Sequence, residues 1–349
     1  MLDAVVQTLS AAAPTWDDPR FAHAFFYKEA ADRVNEYDLS YLVHEFLEDI
    51  NNPVYFYEFV DQVRQHDLQY LADVNFRYAL DVNLPPAVVE WVDGLARDRI
   101  EREQYLDFLT NRSFRQTLLC RANLPVGFAV TLETLRALRF ASPASPETES
   151  PADAPTAQTF VGVDGARYST DHPVTKAAWL YLGGLWPQSA TFDELLAQAY
   201  ARLNAEPPEA GTAPADAQLL AEDLVKAFLT SPRLMEFTTH RLRMTGAVSE
   251  RPVASPWARL QAQQSDSITT LRHERYSLNT LEQFVLKRLD GAHTPDQIVD
   301  ELLAGPFAGG RIDLPEGEPL TDPAQIRAML HQAVDETLHT FARLPLLVA

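Results

Sequence analysis

Residues 159–349 carry one pattern twice, and this limits the fold more than any other feature of the sequence. Tyr168-Ser169 is followed by a helical stretch, a turn and Phe192-Asp193-Glu194-Leu195-Leu196-Ala197. Tyr276-Ser277 is followed by the same succession and Val299-Asp300-Glu301-Leu302-Leu303-Ala304. The offset is 108 residues at the tyrosines and 107 at Leu195 and Leu302. A Pro/Gly-rich insert follows in each copy, at 206–214 and 305–319. Ala217-Gln218 and Ala324-Gln325, again 107 apart, then open a third helix. A shared order at near-constant spacing marks a repeated supersecondary unit.

Each copy reads as strand, helix, helix, insert, helix, strand. Val163-Asp164-Gly165 turns a hairpin in the first copy. Thr294-Pro295 caps and starts the second helix of the second copy. Three small helices with a flanking ribbon make a winged-helix-like unit. The expected class is α+β, mostly helical, with an N-terminal α/β domain over 1–140 and winged-helix-like domains over 159–248 and 266–349. Residues 141–158, ASPASPETESPADAPTAQ, are Pro, Ser, Ala and acid, with no apolar residue larger than Ala, and predict a flexible tether. A second linker is expected at 249–265, starting at SERPVASP.

In the first domain, Asp38 and Ser40 can cap a helix running to about Ile50, with Val43, Phe46, Leu47 and Ile50 as its buried stripe. Asn51-Asn52-Pro53 stops it. A second helix carries Phe56, Phe59, Val60 and Val63 on one face and ends near His66-Asp67. Leu68 to Leu71 alternates as a strand, 86–109 predicts one helix, and Phe114 to Cys120 reads as a second strand.

Composition excludes several functions. The net charge is -20 and no segment is basic, so a phosphate-gripping face is not expected. Only 13 glycines occur, and no G-x-G-x-x-G or P-loop follows a strand. Backbone that approaches a phosphate or S-adenosylmethionine closely needs glycine there, so no cofactor is expected on this chain. The lone Cys120 permits no intrachain disulfide and no Cys-based zinc site. The first residues carry no Lys or Arg, and no apolar run approaches the ~20 residues that span a bilayer. A cytoplasmic protein without membrane contact is the expectation.

Three constellations have chemistry to weigh. His44-Glu45-Phe46-Leu47-Glu48 begins like H-E-x-x-H, but Glu48 replaces the second histidine. His44 and Glu48 sit at i, i+4, and Glu58 or His66 would have to complete a metal site; a surface pair is the simpler use. Tyr37, Tyr41, Tyr55, Tyr57, Tyr70 and Tyr78 cluster with Phe46, Phe56 and Phe59, at spacing that favours a core over an interface. Arg112 and Arg115, between a helix and a strand, suit bidentate clamping of carboxylates, either their own neighbours Asp98, Glu101, Glu103 and Asp107 or a partner's. Arg272-His273-Glu274 reads as alternating surface residues.

Leu42 to Tyr70, LVHEFLEDINNPVYFYEFVDQVRQHDLQY, resembles the bacterial methyltransferase regulatory domain family. The family pattern is H-E-[YF]-L-E, N-x-P-x-Y-F-x-E-F and L-Q-Y-L, matched at His44–Glu48, Asn51–Phe59 and Leu68–Leu71. A second block, E-Q-Y-L-D-F with N-R-x-F-R-Q-T-L-L-C, is matched at Glu103–Phe108 and Asn111–Cys120. Asp67 departs from the family's usual Gly after the helix. LRHERYSLN and LKRLDG are similar to the winged-helix region of bacterial protein-lysine methyltransferases. The helix at 56–66 and the strands at 68–71 and 114–120 also resemble the last helix and last two strands of a class I methyltransferase sheet. Residues 1–125 would then be a half-fold with an open edge that needs a partner.

The resemblance implies work beside an S-adenosylmethionine-dependent methyltransferase, and the glycine pattern implies that this chain lacks the cofactor loop. The leading reading is a non-catalytic regulatory or interaction module whose partner is a methyltransferase chain or domain, with self-association also open. Tyr55, Tyr57, Arg112 and Arg115 are its interaction candidates, with no catalytic residue assigned. Second comes a winged-helix DNA-binding regulator, opposed by acidic third helices: Lys226 lies among Glu222 and Asp223, and Arg327 among Asp335 and Glu336. Third is a metal-dependent enzyme using His44, Glu48 and Glu58.

Overall fold

The computed structural model describes residues 37, 39–46, 48–74, 84–127, 130–148, 150–205, 215–312 and 319–348. They fall into two compact units, the first ending at Pro125 and the second starting at Val126. Helix outweighs strand in both, in keeping with the mixed class expected.

The first unit runs α1 (Leu39–Phe46), α2 (Phe56–Arg64), β1 (Leu68–Asp73), α3 (Pro86–Leu95), α4 (Arg99–Thr110) and β2 (Thr117–Arg121). Helix α1 is shorter than its periodicity predicts. Asn51 stops it through its side-chain amide, which donates to the Glu45 carbonyl at 3.3 Å. Ile50 therefore lies beyond the helix and is 82% exposed, and Val43 is exposed too, so neither forms the expected stripe. The side chains of Phe46 and Leu47, and Asp38, lie outside the described residues. Helix α2 behaves as expected, burying Phe56, Val60 and Val63. Asp67 follows it with φ 56°, the left-handed conformation that glycine adopts freely, so the family's turn survives the change of residue. The single helix expected over 86–109 is two, because the Asp98 carboxylate accepts from the Glu101 amide and caps a new start. Strands β1 and β2 pair antiparallel, with Tyr70 opposite Leu119 and a bulge between Tyr70 and Ala72.

The second unit opens with α5 (Leu132–Arg136) and β3 (Arg139–Ala141), which lies between β7 (Ala190–Thr191) and β8 (Glu236–Thr238). A second sheet has the order β4 (Ser145–Pro146), β5 (Gln158–Val161), β6 (Arg167–Thr170). Helices α6 (Pro173–Leu185), α7 (Phe192–Arg202) and α8 (Ala215–Thr230) pack over a core of Phe140, Phe160, Trp179, Leu195 and Leu224. The expected tether at 141–158 is part of this body. Ala141, Ser142 and Ala144 are buried, β4 pairs with β5, and buried Lys176 donates to the carbonyls of Ala154 and Thr156. Small residues and prolines here serve tight packing and strand edges rather than flexibility.

The chain continues through α9 (Pro256–Gln264), β9 (Ser267–Thr269), β10 (Arg275–Ser277), α10 (Thr280–Leu286), α11 (Pro295–Ala304) and α12 (Pro323–Arg343). The second expected linker is likewise structured: the Ser255 hydroxyl caps α9 and Val253 bridges to Asp290. Both halves of this unit run hairpin, helix, helix, helix. Burial follows the sequence offsets in the first two helices, with Ala177 and Val285 both buried at 108 and Leu195 and Leu302 at 107. In the third helix each copy buries an apolar stripe, Leu220, Leu224 and Ala227 in the first and Ile326, Leu330 and Val334 in the second. Arg272 is not the surface residue its alternation suggested. Its side chain is buried, ion-paired with Glu236, bonded to the Pro187 carbonyl at 2.7 Å and stacked 4.1 Å over Trp186. With the Trp186 indole N–H bonded to the Arg343 carbonyl at 2.9 Å, it fastens the two halves together.

Candidate functional site

The residues singled out by the sequence converge in the first unit, around the face that α4 turns toward α2 and β1. Glu103 and Asp107 are one helical turn apart on α4 and both are buried. Asn111, at φ 48°, ends the helix left-handed and folds the following segment back along it. That turn delivers Arg115 to both carboxylates: Nε and Nη2 meet Asp107 at 2.8 Å each, and Nη1 meets Glu103 at 2.7 Å. The Arg115 guanidinium also lies 3.8 Å over the Phe56 ring. Arg112 reaches Asp73 at 2.5 Å. The Tyr70 hydroxyl donates to Glu103 at 2.8 Å.

Electrostatics follow from this packing. Burial alone would lower the Arg115 pKa, but its bonds to Asp107 and Glu103 hold it well above the ordinary value. Burial raises the Asp107 carboxyl, with Arg115 opposing the rise. Burial, with the Glu103 carboxylate, raises the Tyr70 phenol strongly. The cluster is thus a structural ion network in which both arginines are committed. Of the two uses that the sequence left open for Arg112 and Arg115, internal pairing is the one seen, and the clamping of a partner's carboxylates is not: their side chains are only about a tenth exposed and lie against their own acids.

Above the network lies an open groove of about 460 Å³ lined by Val54, Tyr55, Phe56, Phe59, Phe108 and Phe114, with Gln104 and the arginine network as its floor. Tyr55 meets Phe108 edge to face at 5.6 Å and stacks on Tyr57 at 5.9 Å. Tyr55, Phe108 and Phe114 are 55%, 56% and 66% exposed. Of the tyrosine cluster only Tyr70 is buried, while Tyr37, Tyr41, Tyr55 and Tyr57 are exposed and Tyr78 lies outside the described residues. Phe56, Val60 and Tyr70 form the core that the spacing suggested, while Tyr55 precedes α2 and Tyr57 lies on its exposed side. Phe108, Phe114 and Asp73 escaped the sequence reading as site residues; the E-Q-Y-L-D-F and N-R-x-F-R blocks contain the two phenylalanines, but nothing local pairs Asp73 with Arg112 across 39 positions.

The metal candidates do not assemble. His44 Nδ1 and Glu48 Oε1 lie 2.9 Å apart on an exposed surface. Glu58 instead accepts from the Tyr55 amide at 2.8 Å and closes the first turn of α2. Among the described residues no three His, Cys, Asp or Glu side chains gather as a metal site. Two glycines let the chain approach its own backbone closely, Gly183 beside the Ala144 carbonyl and Gly246 beside the Trp186 carbonyl.

Residues 38–121 match the family described as a predicted methyltransferase regulatory domain. Residues 250–346 match the C-terminal winged helix domain of PKMT. Both bear out the resemblance read from the sequence. The chain is 28% identical over 317 residues to RP789, an uncharacterised protein of Rickettsia prowazekii, covering 88% of this chain and 56% of that one. It is 22% identical over 251 residues to a second such protein, RP027, covering 68% of this chain and 97% of that one. The structure of PKMT2 from Rickettsia typhi in complex with AdoHcy shares the fold, with a TM-score of 0.79 at 22% identity over 99% of this chain. The chain accounts for 68% of that structure's length, and for little more than half of RP789.

Proposed function

We propose that this chain is a non-catalytic, regulatory part of an S-adenosylmethionine-dependent protein methyltransferase system, and that it joins the catalytic chain or domain along β2. The observation that carries this reading is the state of that strand. Among the described residues β1 and β2 pair only with each other. Leu118 and Leu119 are adjacent, so they point to opposite faces of the ribbon, and both are exposed. A strand apolar on both faces belongs in the interior of a sheet covered on both sides. The share of PKMT2 that has no counterpart in these residues leaves room for a catalytic chain or domain beside them, and the glycine pattern argues against cofactor binding by these residues themselves. In this reading residues 159–248 and 266–349 are two winged-helix-like copies of one unit, serving contact with protein rather than DNA.

The test is reconstitution. Mixed with a methyltransferase encoded beside it, the chain should co-elute and change the rate or substrate choice of methyl transfer. Leu118→Asp should weaken both effects while circular dichroism stays unchanged, since the side chain is already in solvent. Calorimetry of the chain alone should show no S-adenosylmethionine binding, and micromolar affinity would overturn the non-catalytic assignment. A chain that alters no methyltransferase loses the regulatory one.

A further inference from the structure

We infer that the aromatic groove at the start of β2 seats a large, neutral, apolar side chain of the catalytic methyltransferase chain or domain, and so anchors the interface that β2 opens. The inference rests on the reading that this chain joins a methyltransferase along β2. It adds the place and the chemistry of the anchoring contact.

Continuity with the strand comes first. Thr117 lines the groove and is also the first residue of β2, and Phe114, 66% exposed, leads into it. Leu118 and Leu119 follow, exposed on the two faces of the ribbon. A partner segment laid along β2 therefore meets the groove at the strand's start. Val54, Tyr55 and Phe108 on its walls are exposed as well. Large apolar side chains left in water side by side mark a contact surface. A concave one, in which an apolar group is fully desolvated, is where an interface concentrates its affinity. The groove's volume of about 460 Å³ accepts such a group. Tyr55 and Phe108 brace each other edge to face at 5.6 Å, which holds this wall in shape before anything binds.

The floor selects a neutral occupant. Arg115 is bonded to Asp107 and Glu103 and covers one face of Phe56. Arg112 pairs with Asp73, and Arg99 lies 3.5 Å from Glu103. Three guanidiniums thus stand against three carboxylates, and the network is balanced within itself. A cationic occupant meets Arg112 and Arg115, and an anionic one competes with Asp107 for the same donors. Either would also give up its own hydration. An apolar side chain breaks none of these bonds. Arg112, Arg115 and their acids are already about a tenth exposed or less, so covering them adds little desolvation. Excluding the remaining water strengthens the pairs.

The experiment uses the whole chain and the purified methyltransferase of the reconstitution. Phe108→Ser and Phe114→Ser, both at exposed positions, should each weaken association about tenfold or more while circular dichroism stays unchanged. Trp91→Ser, at an exposed aromatic of α3 outside the groove, should change association by less than about twofold. Equal losses at all three positions would reduce the groove to general apolar surface and overturn the inference. The chain with the photo-crosslinker p-benzoylphenylalanine in place of Phe108 should cross-link to the methyltransferase, and peptide mapping should place the attachment on or beside an apolar residue. Cross-linking to a second copy of this chain, or attachment within a charged segment, would overturn it as well. The two readings separate in the same assay. Leu118→Asp abolishing the complex while both phenylalanine variants bind like the wild type leaves docking along β2 standing and removes the groove. A wild-type chain that binds no methyltransferase removes both.

Discussion

At the residue scale, the best-determined feature is Arg115. Its guanidinium satisfies Asp107 with a bidentate pair and Glu103 with a third bond while lying on Phe56. Planar forked donors fix geometry in a way that a lysine ammonium cannot. Removing one member of a buried network leaves its partners charged and unpaired, which costs about 3–5 kcal/mol. Arg115→Ala should therefore lower the stability of the first unit by about that amount in urea unfolding. A loss below about 1 kcal/mol would put the network in the class of solvent-screened surface pairs. Asp67 illustrates the opposite case. Its left-handed φ of 56° marks a position where glycine fits without strain, so Asp67→Gly should be neutral or mildly stabilising in the same measurement.

At the element scale, helices of the second unit are joined by buried or half-buried polar ties rather than by apolar packing alone. His172 caps α6, and its Nδ1 faces the Thr175 amide and hydroxyl, which leaves Nε2 to donate to Asp216 on α8 at 3.2 Å. The Tyr200 hydroxyl of α7 donates to the same carboxylate at 2.7 Å. The Tyr200 bond is the largest cause holding the Asp216 carboxyl below its ordinary 3.8, with His172 adding to it. A depressed folded pKa means that the unfolded chain takes up the proton first. The tie is therefore intact at neutral pH, begins to weaken as pH falls through 3.8 and is lost through the lower folded pKa. Thermal melts from pH 6 down to about pH 2.5 should show the wild type losing stability faster than Asp216→Asn over that window. Parallel curves would show that the carboxylate does no more than an amide there.

At the scale of the whole molecule, the expectation against nucleic acid rests on charge. Lys226 on α8 sits 3.8 Å from Glu222 and 3.9 Å from Asp223. On α12, Arg327 pairs with Asp300 of α11 at 2.6 Å, and His331 faces Asp296 at 3.4 Å. Asp335 and Glu336, the neighbours expected from sequence, leave Arg327 to that cross-helix partner. A groove-reading helix needs unpaired cations to release counterions from phosphate. At moderate salt the protein should not shift duplex DNA in a mobility assay. A salt-sensitive, sequence-selective complex would reinstate the DNA-binding reading. No described helix is long and apolar enough to cross a membrane.

The sequence alone determined the local chemistry and its order: α2, β1 and β2, the repeated hairpin–helix–helix–helix succession, and the two blocks that identify the regulatory domain. These are short-range patterns, in which periodicity, caps and turns act within a few residues. Its glycine pattern carried the expectation that no cofactor loop lies in these residues, because close backbone approach is a local requirement. Only the tertiary structure decided which of those residues face solvent. Whether a tyrosine at core spacing is buried depends on how an element packs over it: Tyr55 meets α4 only at the exposed Phe108 ring, while Tyr70 is buried and bonds to Glu103 of α4. Whether Arg112 and Arg115 serve a partner or the fold depends on Asp73, brought near by strand pairing rather than by sequence proximity. The Pro-rich stretch at 141–158 looked like a tether because composition reports propensity, and it became a strand edge because Lys176 and the β5 ladder gave its backbone polar groups partners.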